Sequence, residues 1–136
     1  MATYNKFQCF VEDICEKKHN LGSDVLKVAL SNAANPPSAS LDVKLADITT
    51  VSVANINNVT LTVSSSGQNS GTYKLVLADL TMTATGAVGP FRYVIIYNDT
   101  ATNKEVIGWY DYGSEITLAS GDTFKLDFGT ELFSLT

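Results

Sequence analysis

GPFRYVIIYNDTATNKEVIGWYDYG, residues 89–113, carries six of the thirteen aromatic residues of this 136-residue chain. Phe91, Tyr93, Ile95 and Tyr97 alternate in one phase, and Arg92, Val94 and Ile96 in the other. Two apolar phases predict a central strand covered on both faces. Asn98–Lys104 is a polar loop, and Glu105–Asp111 returns as the hairpin partner. Aromatic and β-branched pairs across such a hairpin each contribute roughly 0.2–1 kcal/mol. The tyrosines exceed what a core needs. Tyr carries a polar tip and tends to end at a wet edge or in an interface.

Outward from this hairpin the pattern is mostly short strands. Val25–Leu30, Val51–Val53 and Val59–Val63 read as strands, with the Pro36-Pro37 loop between the first two. Ser64–Thr72, SSSGQNSGT, reads as an exposed turn. Tyr73, Leu75 and Leu77 alternate, then Leu80, Met82 and Ala84 alternate out of phase. A bulge near Ala78-Asp79, where the strand bends or changes sheets, reconciles the two. Glu115–Leu118, Thr123–Phe128 and Glu131–Leu135 read as further strands, with a turn at Gly121-Asp122. The N-terminal residues about 4–19 read as a helix. Phe7, Phe10, Val11 and Ile14 share a face, Thr3 caps the start, Lys17, Lys18 and His19 sit at the positive-preferring end, and Gly22 supplies a left-handed stop. The class is mainly β: one domain over residues 1–136, a β-sandwich or jelly-roll with one N-terminal helix.

Composition excludes several functions. The net charge is −5 and the nine Lys and Arg residues are scattered, which argues against a nucleic-acid partner. No apolar run approaches the roughly 20 residues needed to cross a bilayer, so no membrane partner is expected. The start MATYNKFQCF lacks a basic region followed by an apolar one, which predicts no signal peptide. Cys9 and Cys15 would lie about 9 Å apart along a helix, too far for a disulfide, and predict reduced thiols. With His19 they are too few for a four-ligand zinc site, so no metal or other cofactor is expected.

The candidate carboxylates Asp111, Glu115, Asp122, Asp127 and Glu131 fall at strand ends, where such groups are usually solvated. Asp99, Asp111 and Asp122 lack the spacing of a calcium loop. Asp127-Phe128-Gly129 spells a kinase triplet without the rest of a kinase. His19 follows two lysines at the helix end, with no nucleophile elbow in the chain. No catalytic residue is assigned, and the chain is expected not to be an enzyme.

Three segments resemble small proteins encoded among tailed-bacteriophage structural genes. They are NKFQCFVEDICEKKHNLGSDVLKVALSN at 5–32, GTYKLVLADLTMTATGAVGPFRYVIIYNDTATNKEVIGWYDYGSEITLASGDTF at 71–124, and the apolar tail. The order GPFRY, YNDTA, IGWYDYG, then ITL-x-x-GD is the most specific part; residues 32–72 carry little. The resemblance implies a virion structural protein, and a capsid decoration (cement) protein is favoured. It would be a homo-oligomer, dimer or trimer, binding the major capsid protein on the capsid surface after assembly in the host cytoplasm. Contact is expected from the segment 1–10 and the Tyr97–Tyr112 hairpin, at Tyr4, Phe7, Tyr97, Trp109, Tyr110 and Tyr112. The competing readings are a tail, neck or spike component, and a receptor- or glycan-binding module using Trp109 and Tyr110.

Overall fold

The computed structural model describes residues 2–136. Nine strands and one α-helix follow in the order β1 (Thr3–Lys6), α1 (Cys9–Cys15), β2 (Leu26–Ser31), β3 (Val63–Asn69), β4 (Thr72–Leu77), β5 (Leu80–Thr83), β6 (Val88–Asn98), β7 (Val106–Leu118), β8 (Thr123–Leu126) and β9 (Phe133–Leu135), with a 3-10 turn at Leu45–Asp47. The protein is mainly β, with all strand pairs antiparallel. The strands form a four-stranded sheet in the order β1-β7-β6-β2, a three-stranded sheet β3-β4-β9 and the pair β5-β8.

β6 holds the inner position its sequence predicts, between β2 and β7. Its two faces enter two cores. Val94 and Ile96 join Val28, Leu30, Ile107 and Tyr110 in the larger one, while Tyr93, Ile95 and Tyr97 join Phe7, Ala29, Ile48, Val106 and Trp109 in the smaller. Phe91 departs from the simple alternation. A register shift between Phe91 and Tyr93 turns Phe91 into the larger core, against Phe124. The larger core also takes Leu75 and Leu77 of β4, Met82 of β5 and Leu126 of β8, so all three sheets share it.

The break foreseen at Ala78-Asp79 is present. β4 ends at Leu77 in one sheet, and β5 begins at Leu80 in another. Leu75 and Leu77 before the break, and Met82 and Ala84 after it, are buried. Glu115–Leu118 is not a separate strand but the end of β7.

Elsewhere the structure departs from expectation. The N-terminal helix covers only Cys9–Cys15, and Thr3 does not cap it. Residues 3–6 pair with β7 instead, Tyr4 opposite Tyr110 and Asn5 opposite Trp109. The helix ends without a glycine. Lys17 takes the left-handed conformation, φ 65°, while Lys18 N donates to Asp13 O and Lys17 N to Ile14 O. This is the paired closure of a Schellman motif, with Lys where Gly is usual. Gly22 does not take that role.

Ser64–Thr72 is not one long turn. Its first part lies in β3, and only Ser70-Gly71 turn the chain, with φ 53° and 85°. Positive φ at both positions marks a two-residue type I′ hairpin. The strands expected at 51–53 and 59–63 are largely single bridges along the outer edge of β2. Val28 N donates to Val59 O, Leu61 N to Leu26 O and Val51 N to Leu30 O. This segment takes up backbone groups that an edge strand would leave open.

Ile96, fully buried in the larger core, is expected to report the strength of this arrangement. Ile96→Ala should lower unfolding stability by about 2–5 kcal/mol, as truncation of a packed core side chain does. Thr81→Ala, at an exposed position of β5, should stay within about 0.5 kcal/mol in the same urea titration.

Candidate functional site

The six aromatics expected at an interface divide by position. Phe7 is fully buried and lies against Trp109, ring centroids 4.6 Å apart; Trp109 and Tyr97 are buried in the same core. Tyr110 is buried in the larger core, 5.2 Å from Tyr4 and 5.9 Å from Phe128. These four leave almost no surface for a partner, and the structure corrects that part of the expectation. The strand β1 accounts for part of this: it lays Tyr4 against Tyr110 and across Gly108, where any side chain would overlap the tyrosine ring, and it leads Phe7 onto Trp109 on the other face. Tyr4 and Tyr112 are half-buried. Burial pushes the Tyr110 and Tyr112 hydroxyls up to about 12, and Tyr4 also upward. Met1, the first residue of the expected contact segment, lies outside the described residues.

Apolar surface appears elsewhere. Val11, Val25, Leu41, Val43 and Leu135 are exposed, Leu41 most of all at 76%. Three of the five lie on or beside α1. Val11 is on the helix, and the 39–43 segment is tied to its start. Gln8 N donates to Ala39 O at 2.9 Å, and the Cys9 thiol lies 3.6 Å from Asp42 O and 3.8 Å from Val43 O. Asp42 and Asp47 stabilise the loop through backbone donors: Ser38 N to Asp42, and Val43 N and Lys44 N to Asp47. Those two bonds hold the Asp47 carboxyl below its usual range. The position of Leu41 was hidden in the sequence, because it sits in an aperiodic loop after Pro36-Pro37.

The expected carboxylates are engaged in local structure. Asp111 accepts from Arg92 at 2.9 and 3.2 Å and from Gly113 N, and the arginine contact holds it low. Asp122 accepts from Ala119 N, Asp127 from Gly129 N, and Glu115 from Ala33 N. Glu131 lies 3.6 Å from Lys74, and Asp99 joins Lys27 and Lys104. Among the described residues no group of three or more His, Cys, Asp and Glu could hold a metal ion. Cys9 and Cys15 are free thiols. Burial and then Asp13 push the Cys9 thiol up to about 11, which suppresses the reactive thiolate.

One polar centre escaped the sequence reading. Asn98, at the end of β6, is fully buried. Its Oδ1 accepts from Thr100 N at 3.0 Å and Ala101 N at 3.1 Å. Those donors fix the amide orientation, so Nδ2 donates to Asp24 at 2.7 Å and to His19 Nδ1 at 3.0 Å. All four hydrogen-bonding positions of the amide are then used. The bond also sets the tautomer: neutral His19 carries its proton on Nε2, which has no partner. His19 is thus a buried ring against Phe10, not the exposed helix-end cation expected from Lys17-Lys18-His19.

Burial holds the His19 pKa below its ordinary 6.5, against the opposing pull of Glu105 and Asp24. Asp13 is also buried, with Oδ2 unpartnered; desolvation and then Glu105 raise its pKa. The arrangement ties the loop after α1 to the β6–β7 hairpin. Among the described residues no helix is long and apolar enough to cross a membrane. No family model, curated protein or solved structure matches the chain.

The pH consequence follows from the signs. A histidine with a lowered folded pKa takes its proton more readily when unfolded. Its contribution is present above pH 6.5 and is lost as pH falls from there toward the folded value. Thermal melts between pH 7.5 and pH 5, a range that brackets the unperturbed value of about 6.5, should show a falling Tm, and His19→Gln should flatten that slope. Asp13 has the opposite sign: its raised pKa costs stability as pH rises through the folded value, so Asp13→Asn should raise Tm at neutral pH.

Proposed function

We propose that this chain is a capsid decoration (cement) protein of a tailed bacteriophage, a structural rather than a catalytic component. It would bind the major capsid protein on the outside of the head lattice. The observation that carries the reading is the ordered run GPFRY, YNDTA, IGWYDYG in residues 71–124, which resembles proteins encoded among phage structural genes. That run forms the central hairpin and supplies much of both cores.

The layering supports a β-sandwich of jelly-roll type as the finer description. The three- and two-stranded sheets contribute to one core that also covers a face of the four-stranded sheet, and the chain passes between sheets after Leu77. A block of this kind is suited to adhesion. The contact surface favoured by exposure is the neighbourhood of α1, with Val11, Leu41 and Val43, in place of the buried hairpin aromatics.

Copies bound side by side on a repeating lattice need only modest patches, because linkage sums their contributions. A subunit that binds only the assembled, expanded lattice stabilises that lattice by mass action. Burying a leucine fully contributes about 1.5–3 kcal/mol, so Leu41→Glu should weaken binding to expanded heads by roughly tenfold or more. Leu41 is exposed, so the fold should be unaffected.

The decisive measurement is the position and copy number of the chain in purified virions by cryo-electron microscopy. Density on the head lattice in proportion to the major capsid protein is the expected result. A single ring at the neck or tail, or no copies in the particle, would overturn the proposal.

A further inference from the structure

The strand β3 ends its sheet in a free edge that differs from the others. It reads VSSSGQN over Val63–Asn69, without a charge or a proline. β1 and β8 are four residues each and carry Lys6 and Lys125, and β9 is three residues long. The edge of β2 is covered by residues 51–61. Edge strands are commonly blunted by shortness, Lys, Pro or a bulge; β3 carries no Lys or Pro, and its one irregularity, between Val63 and Ser65, leaves Ser65–Asn69 in regular register.

The direction of its open backbone groups follows from the hairpin. The two-residue loop Ser70-Gly71 makes Asn69 and Thr72 a hydrogen-bonded closing pair. Alternation then points Gly67 and Ser65 at β4, and turns the N–H and C=O of Ser66 and Gln68 outward. Among the described residues, no other segment bonds to the backbone there.

Gly67 sharpens the point. It lies in the regular part of the strand, its φ is not left-handed, and a Cβ there would meet nothing within 4 Å. Nothing inside the chain demands glycine. In a strand interior glycine costs about 0.5–1 kcal/mol relative to Ala, and it often marks the close approach of another backbone.

We infer that β3 pairs with β3 of a second copy of this chain, antiparallel, with Gly67 on the two-fold axis. In that register Ser66 faces Gln68 of the other copy in a hydrogen-bonded pair, and Ser65 faces Asn69. No opposed pair carries a charge, and the Ser66–Gln68 and Ser65–Asn69 pairs are polar. For a chain of net charge −5, self-association is least opposed where the surface carries no charge. The two three-stranded sheets become one of six strands, an ordinary size. The contact is isologous and closes at the dimer. A separate partner strand would need its own complement to this neutral edge, whereas a second copy supplies it by symmetry. The inference stands apart from the virion reading: a dimer in solution supports it without any capsid.

The test uses two substitutions and their mixture. Gly67→Glu and Gly67→Lys each place like charges face to face at the axis, and a Cβ at this position meets nothing within 4 Å in the monomer; because Lys74 stands opposite Gly67 on β4, both are made in a Lys74→Gln background that serves as the reference. Sedimentation equilibrium on the full chain should show a dimer. Each variant should associate roughly tenfold more weakly, with an unchanged circular dichroism spectrum. An equimolar mixture should recover the dimer, because Glu then faces Lys. A monomeric wild-type protein at high micromolar concentration would overturn the inference. So would a Gly67→Glu variant that dimerises as well as the Lys74→Gln reference, or a mixture that fails to recover.

Discussion

The burial of both faces of β6 is the constraint on which the rest of the structure depends. A strand with Val94 and Ile96 on one side and Tyr93, Ile95 and Tyr97 on the other cannot lie at a surface. It requires a neighbour along each edge and a cover on each face. β2 and β7 supply the edges. The other two sheets supply one cover, and Phe7 with the 3-10 turn region around Leu45 and Ile48 supplies the other. The N-terminal strand follows from the same demand, since it carries Phe7 onto Trp109. Each apolar side chain of this size contributes on the order of 1.5–3 kcal/mol when fully buried, so the two-sided strand concentrates stabilisation in few residues.

That concentration leaves a polar problem at the end of β6, where the chain leaves the core. Asn98 solves it by using its whole amide, accepting from two loop N–H groups and donating to His19 and Asp24. The helix thereby gains a fixed seat on the hairpin, and Asp13 is carried into a buried position beside Glu105. A buried carboxyl oxygen and a buried imidazole N–H without partners are unusual in a well-packed chain. The Ser31 and Tyr4 hydroxyls are likewise buried without partners, but among the described residues only this junction holds two ionisable side chains, Asp13 and His19, in that state within one corner of the interior.

The strong periodicities were legible in the sequence. β6, the return strand β7, β2 and the break after Leu77 all followed from apolar alternation and its change of phase. What failed had specific causes. SSSGQN has turn composition, yet it forms β3 because the Ser70-Gly71 hairpin folds it against the apolar β4; tertiary pairing overrode local propensity. In the sequence Thr3 reads as the cap and residues 4–6 as the first turn of a helix whose apolar face begins at Phe7, but this segment completes a sheet beside Trp109 instead. The burial of Phe7, Tyr97, Trp109 and Tyr110 was not legible, because an aromatic's affinity for wet edges does not say whether an edge is open; Tyr4 and Tyr112 are half-buried. Leu41 and Asn98 gave no signal, since exposure in a loop and burial of an amide both depend on contacts far along the chain.

Val51 and Val59–Leu61, bonded to β2 at either end of a loop that reaches over to the end of β5, give the four-stranded sheet two unlike rims. One is stitched shut by a segment of the same polypeptide, and the other ends in the short strand Thr3–Lys6. Fibrous growth by stacking sheets end on end needs two adhesive rims per unit. With one sealed, addition to this sheet stops at the first joint, and the most hydrophobic layer of the molecule is barred from propagating into a filament.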